Sequence, residues 1–393
     1  MDGFWDPPYT PPFVSRRQGL RDCPVRLAPR LAAPEQVPML LRLQAGLQDP
    51  QLESILALCK DLGLTTSFLE GRRDLVQVDG PADPRILVRL EGHPLVRNVI
   101  DRGDVRWQVD ADPDRAETVV TAGHARFGGG WVSIAAGPCA VEDEARMTAI
   151  ARDVKERGAT LLRGGAYKPR TSPYAFQGLG EVGLEILARV KADVGIGIVT
   201  EVMDTRDVDK VAAVADMVQV GARNMANYPL LRELAKCGRP VMLKRGFGAT
   251  VKEFLGAAEY LLEGGNPNVV LCERGVRGFD SVTRDMLDVG AIAHLETATH
   301  LPVIGDPSHA AGRADLVPNL ARAALAAGAD GLMVEVHDAP EEARSDAGQA
   351  LSMARFGALV ERSRALAELL GKRVAVCPSS SEDNADRIGM EFA

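Results

Sequence analysis

An α/β protein, a (β/α)8 barrel of the TIM type behind a small α+β domain, is what this sequence predicts, and three observations carry the prediction. Its 393 residues exceed the size at which a single hydrophobic core keeps growing, so a large and a smaller domain are expected. From residue 131 onward, eight short apolar runs rich in β-branched residues alternate with amphipathic helical stretches, the pattern of parallel β-α units. Ahead of them, residues 37–112 read as β-α-β-β-α-β, the ferredoxin-like order.

Taken in order, residues 1–36 are rich in proline and arginine with no sustained hydrophobic period, and are expected to be a flexible leader or to lie along another surface. The small domain follows as VPMLLRLQAG, DPQLESILALCKDLG, TTSFLEGRR, DLVQVDGP, DPRILVRLEGHPLV and NVIDRGDVRWQV. Residues 113–130, after the Asp-rich DADPDRAET begins, are expected to be a linker. The barrel strands are VSIAAGPC, TLLRGG, GIGIVTEV, MVQVGA, PVMLKRG, VVLCERG, LPVIGDPSH and GLMVEVHD, and the barrel extends over 131–375. Residues 376–393 form an acidic tail.

Composition narrows the function classes. With 46% hydrophobic and 25% charged residues the chain is an ordinary globular protein. No apolar run approaches the roughly 18 residues that span a bilayer, and the start MDGFWDPPYTPPF lacks the basic then apolar order of a signal peptide. A cytoplasmic protein without a membrane role is expected. A net charge of −8 opposes general binding to nucleic acid, so any basic cluster is local and aimed at a small anion. The six cysteines are scattered without CxxC spacing, which fits reduced thiols rather than a disulfide framework.

In a barrel the active site sits at the C-terminal ends of the strands, and polar residues collect at those ends here. Arg163 ends the second strand and runs into Lys168 and Arg170; Arg223 follows the fourth, Lys244 and Arg245 end the fifth, and Arg274 ends the sixth. Seven like charges at one mouth repel each other unless the site holds several anionic groups, such as phosphates and a carboxylate. A second set is different in kind: Cys139, His309, Glu335 and Asp346. One thiol, one imidazole and two carboxylates suit a divalent transition metal such as Mn, Fe, Co or Zn, with a position left for water or substrate. The plainer reading of each residue, a rim cation paired with an acid, a core thiol, a structural imidazole, loses ground because all fall at strand ends.

The segments AGPC at 136–139, LRGGAYKPRTSP at 162–173, QVGARN at 219–224, LKRGF at 243–247, CERG at 272–275, DPSHAAGR at 306–313 and EVHDAPEEARSD resemble the 3-deoxy-D-arabino-heptulosonate 7-phosphate (DAHP) synthases. The small domain resembles the N-terminal ferredoxin-like regulatory domain of the type I beta subgroup. The resemblance implies a transferase that condenses phosphoenolpyruvate with erythrose 4-phosphate at the start of the shikimate pathway. By the same resemblance Arg223 and Arg274 hold the phosphoenolpyruvate phosphate with Lys244 bridging toward it, while Arg163 and Lys168 face its carboxylate. Arg170 and Thr171 would take the aldose phosphate, Cys139, His309, Glu335 and Asp346 the metal, and Glu201 a place near the attacked carbon.

Two alternatives differ in their sequence marks. The sibling 3-deoxy-D-manno-octulosonate 8-phosphate synthases, which use arabinose 5-phosphate, typically read KANR where this chain has KPR at 168–170. An inactive barrel kept for effector binding would have lost Cys139, Lys168 or His309, and all are present. A ferredoxin-like module ahead of a pathway's first enzyme suggests feedback control by an aromatic amino acid, and the resemblance implies pairing of the small domains across a tetramer. Either end of the chain could also touch a partner such as a chorismate mutase.

Overall fold

The computed structural model of the protein describes residues 37–69, 72–80, 84–101, 108–111, 117–170 and 172–378. The proline-rich leader, Thr171 and positions 379–393 of the tail lie outside the described residues. The chain divides into two compact units, one ending at Val105 and the other beginning at Arg106.

In the first unit, β1 (Val37–Leu43), α1 (Asp49–Asp61), β2 (Thr65–Phe68), β3 (Leu75–Gly80), α2 (Pro84–Glu91) and β4 (Val96–Asp101) follow in the predicted order. The sheet runs β2-β3-β1-β4 with every neighbouring pair antiparallel, the ferredoxin-like arrangement. Met39, Leu41 and Leu43 alternate to one face of β1, as Val76 and Val78 do on β3, and they pack with Leu52, Ile55 and Cys59 of α1. A period of two on the strands and of three to four on the helix buries one face of each.

The second unit opens on a hairpin, β5 (Val120–Ala122) and β6 (Ala125–Phe127). Eight parallel strands then alternate with helices: β7 (Trp131–Gly137), α3 (Glu144–Glu156), β8 (Leu161–Arg163), α4 (Glu181–Val194), β9 (Gly197–Val202), α5 (Val208–Val214), β10 (Met217–Val220) and α6 (Tyr228–Leu234). There follow β11 (Val241–Lys244), α7 (Val251–Glu263), β12 (Val269–Glu273), α8 (Val289–Ala298), β13 (Val303–Gly305), α9 (Pro307–Ala311), α10 (Val317–Ala326), β14 (Gly331–Glu335) and α11 (Met353–Leu369). Consecutive strands pair, and β14 pairs back onto β7 from Gly331 opposite Ser133 to Glu335 opposite Gly137, which closes the barrel. A last short strand, β15 (Arg373–Val374), lies beside the start of β7.

Side chains on the two faces of each barrel strand enter different cores. Ile134, Leu162, Ile198, Val218 and Leu271 face the helices, while Ala135, Leu161, Val199, Met217, Met242, Val270 and Met333 fill the interior. The interior core also takes Val120, Ala122, Ala125 and Phe127 from the hairpin. The stretch 113–130, predicted as a linker, therefore carries a structured plug over 120–127. Its four apolar residues alternate with polar ones too briefly to register as a strand signal, and they pair only with each other. Gly123, at a φ of 54°, makes the hairpin turn where its Cα approaches Gly197 of β9, and an added Cβ would stand 3.0 Å from that backbone.

Residues 108–111, assigned to the small domain from sequence, belong with the barrel. Val109 is buried in its helix-facing core, and Glu259 of α7 accepts the Gln108 and Val109 N–H groups at 3.0 and 2.9 Å. The interior plug gives a measurable consequence. Replacing fully buried Phe127 with Ala should lower the stability of the barrel by about 3–5 kcal/mol, whereas exposed Thr121→Ala should leave the urea midpoint nearly unchanged.

Candidate active site

Barrel closure sets the first group of site residues side by side. Glu335 ends β14 opposite Gly137 of β7, two residues before Cys139. Asp346 arrives from the loop after β14, and the ligand-type atoms of Cys139, Glu335 and Asp346 all lie within 4.8 Å of one another. The Cys139 thiol donates to Asp346 Oδ2 at 2.9 Å. His309, in α9 after β13, joins this group through Nε2, which is 3.3 Å from Glu335 Oε1. Asp346 has a left-handed backbone with φ of 55°, an uncommon conformation for a residue with a side chain and one that the surrounding loop must hold.

The ionisation of these groups follows from their surroundings. Burial pushes the Cys139 thiol up to about 11, with Glu335 adding to the rise, in keeping with the proton it donates to Asp346. Burial opposes the charge on Asp346, but the Cys139 hydrogen bond, His309 where acid protonates it, and the Arg284 and Lys168 charges prevail and hold it at about 2. Burial, helped by the Lys244 charge, lowers His309 against the pull of Asp306 and Glu335, which favours the neutral imidazole that ligates metals. A thiol, an imidazole and two carboxylates so arranged fit a borderline-soft divalent cation.

A cavity of about 260 Å³ opens beside this group. Arg163, Lys168, Arg170, Arg223, Lys244 and Arg274 all line it, together with Glu201, His309 and Asp346. The deepest cations are held by buried partners. Arg163 donates to Glu335 at 2.5 Å, Lys244 to Asp306, Arg274 to Asp285, and Lys168 to the Cys139 carbonyl at 2.8 Å. Asp306 also lies 2.7 Å from His309 Nδ1 and caps α9 by accepting the His309 N–H at 3.0 Å. Phe247 stands among the guanidiniums of Arg223, Arg274 and Arg277, which lie 5.3, 4.8 and 4.9 Å from its ring centre. Glu201 accepts from Gln219 at 3.1 Å but leaves Oε1 buried and unbonded, and burial raises its pKa against the pull of Lys168, Lys244 and Arg163.

One predicted mouth cation is elsewhere. Arg245 does not line the cavity; its guanidinium bonds Glu273 at 2.8 Å, Asp288 at 3.0 Å and the Ala249 carbonyl at 2.9 Å. Adjacent residues on a strand point to opposite faces, so Lys244 and Arg245 could not both turn inward. The seventh cation of the cavity is instead Arg284, from the loop after β12, where no strand end marks it. Sequence reasoning also passed over Asp306, although its place three residues before His309 at a helix cap was a usable signal, and Gln349, which donates to Glu335 at 2.6 Å. Thr171, predicted beside Arg170, lies outside the described residues.

Among the described residues seven cations line a space whose carboxylates, those lining it and those paired with its cations, number five: Glu201, Asp346, Glu335, Asp306 and Asp285. The positive excess in a partly buried space can be met by bound anions. Fold and cavity together define a (β/α)8 enzyme for small polyanionic substrates.

Comparison with known proteins makes this particular. The model of the DAHP synthetase I family matches residues 117–370. A phospho-2-dehydro-3-deoxyheptonate aldolase of Thermotoga maritima is 41% identical over 339 residues, 86% of this chain and 100% of the relative. The crystal structure of phospho-2-dehydro-3-deoxyheptonate aldolase (DAHP synthase) from Thermotoga maritima superposes with a TM-score of 0.69 at 39% identity, over 86% of this chain and 99% of that one. A 2-dehydro-3-deoxyphosphooctonate aldolase of Bradyrhizobium sp. is more distant, 32% identical over 274 residues, 65% of this chain and 95% of the relative. The chain belongs to the DAHP synthetase I family, and its activity is that of a DAHP synthase, as the sequence resemblance implied.

The displaced arginine supplies a test of this geometry. Arg245→Met should leave Glu273, fully buried, without its cation and cost about 3–5 kcal/mol of stability, read as a lowered denaturant midpoint.

Proposed function

We propose that the residues at the barrel mouth divide the condensation of phosphoenolpyruvate with erythrose 4-phosphate as follows. Arg223 and Arg274 hold the phosphoenolpyruvate phosphate, with Lys244 bridging toward it, and Arg163 and Lys168 face its carboxylate. Arg170 and Thr171 hold the phosphate of the aldose. Cys139, His309, Glu335 and Asp346 hold a divalent metal, Mn, Fe, Co or Zn, which would supply Lewis acidity to the aldehyde oxygen when bound. The observation that carries this assignment is the convergence of the Cys139, Glu335 and Asp346 group with a cavity lined by seven cations.

The methylene carbon of phosphoenolpyruvate attacks the aldehyde carbon and forms the new C–C bond. Lys168 Nζ, buried within the cavity wall, gives a proton to the aldehyde oxygen as it becomes a hydroxyl. Positive charge develops at the enol carbon, water adds there and gives up a proton that restores Lys168, and phosphate leaves as its bond to that carbon breaks on the C–O side. The cationic grip of Arg223, Arg274 and Lys244 stabilises the departing phosphate. Glu201, with its unbonded Oε1 inside the cavity wall, is a polar partner for the reacting carbon and its water.

The small unit has its own core in the ferredoxin-like arrangement, which supports a regulatory part: binding of an aromatic amino acid, with feedback on the barrel. Assembly as a tetramer, association with a chorismate mutase and a cytoplasmic setting belong to the same reading. No helix among the described residues is long and apolar enough to cross a membrane.

The deciding experiment follows phosphoenolpyruvate loss in the presence of manganese, with erythrose 4-phosphate or arabinose 5-phosphate, each with and without excess chelator. Turnover with the four-carbon sugar alone, abolished by chelator, is expected; turnover with the five-carbon sugar alone would reassign the aldose site, and persistence in chelator would remove the metal. Cys139→Ser should abolish metal-dependent turnover, and Arg170→Ala should act mainly on the aldose KM. Because the Cys139 thiol is raised to about 11, metal binding near neutral pH must expel its proton, so apparent affinity should rise about tenfold per pH unit in a chelator competition. An affinity independent of pH would place the thiol outside the ligand set. Feedback is read by adding tyrosine, phenylalanine and tryptophan singly; a rate unaffected by all three would leave the small unit without this role.

A further inference from the structure

The cations of the cavity occupy two levels. Arg163, Lys168, Lys244 and Arg274 are almost wholly buried. Arg223 is exposed and shares the Phe247 ring with Arg274, while Arg284 and Arg170 have side chains 41% and 18% exposed. They reach the same carboxylate through different oxygens: Arg284 Nη2 is 3.2 Å from Asp346 Oδ1, and Arg170 Nη1 is 3.6 Å from Asp346 Oδ2. Among the described residues Asp346 is the only side-chain acceptor that the Arg284 guanidinium reaches. We propose that Arg284 is a substrate-binding residue, the second arm beside Arg170 of a clamp for the phosphate of the aldose. This rests on the assignment of Arg170 and Asp346 given above.

Local structure has made room for Arg284 to reach the cavity. Its N–H donates to the Ala311 carbonyl at 3.1 Å, and its side chain passes over Gly312, the left-handed C-cap of α9. A Cβ at Gly312 would stand 2.7 Å from the Arg284 Cβ and 3.3 Å from its Nε, so a larger residue would push the arginine aside. Arg170 is steered likewise, by the bond from its Nε to the Phe176 carbonyl at 3.1 Å. Two fixed guanidiniums therefore flank one carboxylate that also accepts from the Cys139 thiol.

One negative charge cannot satisfy two guanidiniums and a metal ligand's duty together. When Asp346 is committed to a cation with Cys139 and Glu335, both arginines lose much of their counter-charge. A phosphate, with more charge and three acceptor oxygens, restores it in a geometry suited to paired N–H donors. The deeper cations, and Arg223 beside Arg274 on Phe247, are assigned above to the other substrate, so the pair that shares Asp346 falls to the aldose phosphate.

The test uses the full chain, with phosphoenolpyruvate and erythrose 4-phosphate varied separately. Arg284→Ala should raise the aldose KM about ten- to hundredfold, the loss of a charge-assisted phosphate contact, while the phosphoenolpyruvate KM stays put and Arg284→Lys recovers part of the loss. An unchanged aldose KM, or an equal rise in both constants, would overturn the clamp. Calorimetric binding of inorganic phosphate to the phosphoenolpyruvate-saturated protein provides a readout that does not depend on the sugar. Weaker phosphate binding by Arg284→Ala supports the clamp even if erythrose 4-phosphate is not turned over. Unaltered phosphate binding combined with altered metal affinity would show that Arg284 only balances Asp346, and the proposal would fail.

Discussion

Much of this site depends on burying one carboxylate. Glu335 is fully buried at the end of the strand that closes the barrel, and an unpaired charge there would cost several kcal/mol. Arg163 and Gln349 donate to it at 2.5 and 2.6 Å, with His309 3.3 Å away. Burial raises its pKa, yet the Arg163 charge, joined by His309 where acid protonates it, outweighs that effect and lowers it. These partners come from β8, the loop after β14 and α9, so satisfying one charge brings three distant parts of the barrel to one point.

The same logic organises the cations. Lys244 and Arg274 have buried acids of their own in Asp306 and Asp285, so they are held in position before any substrate arrives. Fixed charge of this kind requires little rearrangement when negative charge develops in a reaction. Asp306 serves two elements at once, capping α9 and approaching both Lys244 Nζ and His309 Nδ1. It thereby sets the spacing between a phosphate-type cation and a metal-type imidazole. Removing one partner of such a pair would leave the other buried and unmatched.

Scaffold and site occupy opposite ends of the barrel. The hairpin with Phe127 fills the interior with apolar side chains, while the strand ends carry the charged groups. Stability is concentrated where the side chains are fully enclosed, and the loops that bring Asp346 and Arg284 are left to shape the mouth.

The alternation of apolar runs with amphipathic helices made all eight barrel strands legible, because each must bury both faces, and the strand-end position of Arg163, Lys244, Arg274 and Glu335 followed from that alone. The motifs around Cys139, Lys168 and His309 were equally local. What sequence by itself could not decide was orientation and long-range pairing. Lys244 and Arg245 look alike in a string, yet the pleat turns one toward Asp306 and the other toward Glu273 and Asp288. Arg284 carries no local mark, since its place in the cavity depends on crossing Gly312 to reach Asp346, residues 28 and 62 positions away. The hairpin at 120–127 resembled a linker because its burial comes from the barrel strands and not from its own short pattern. Local propensity and period are properties of neighbours in the chain, whereas the counter-charge of a buried arginine and the filling of a barrel floor are set only when distant segments meet.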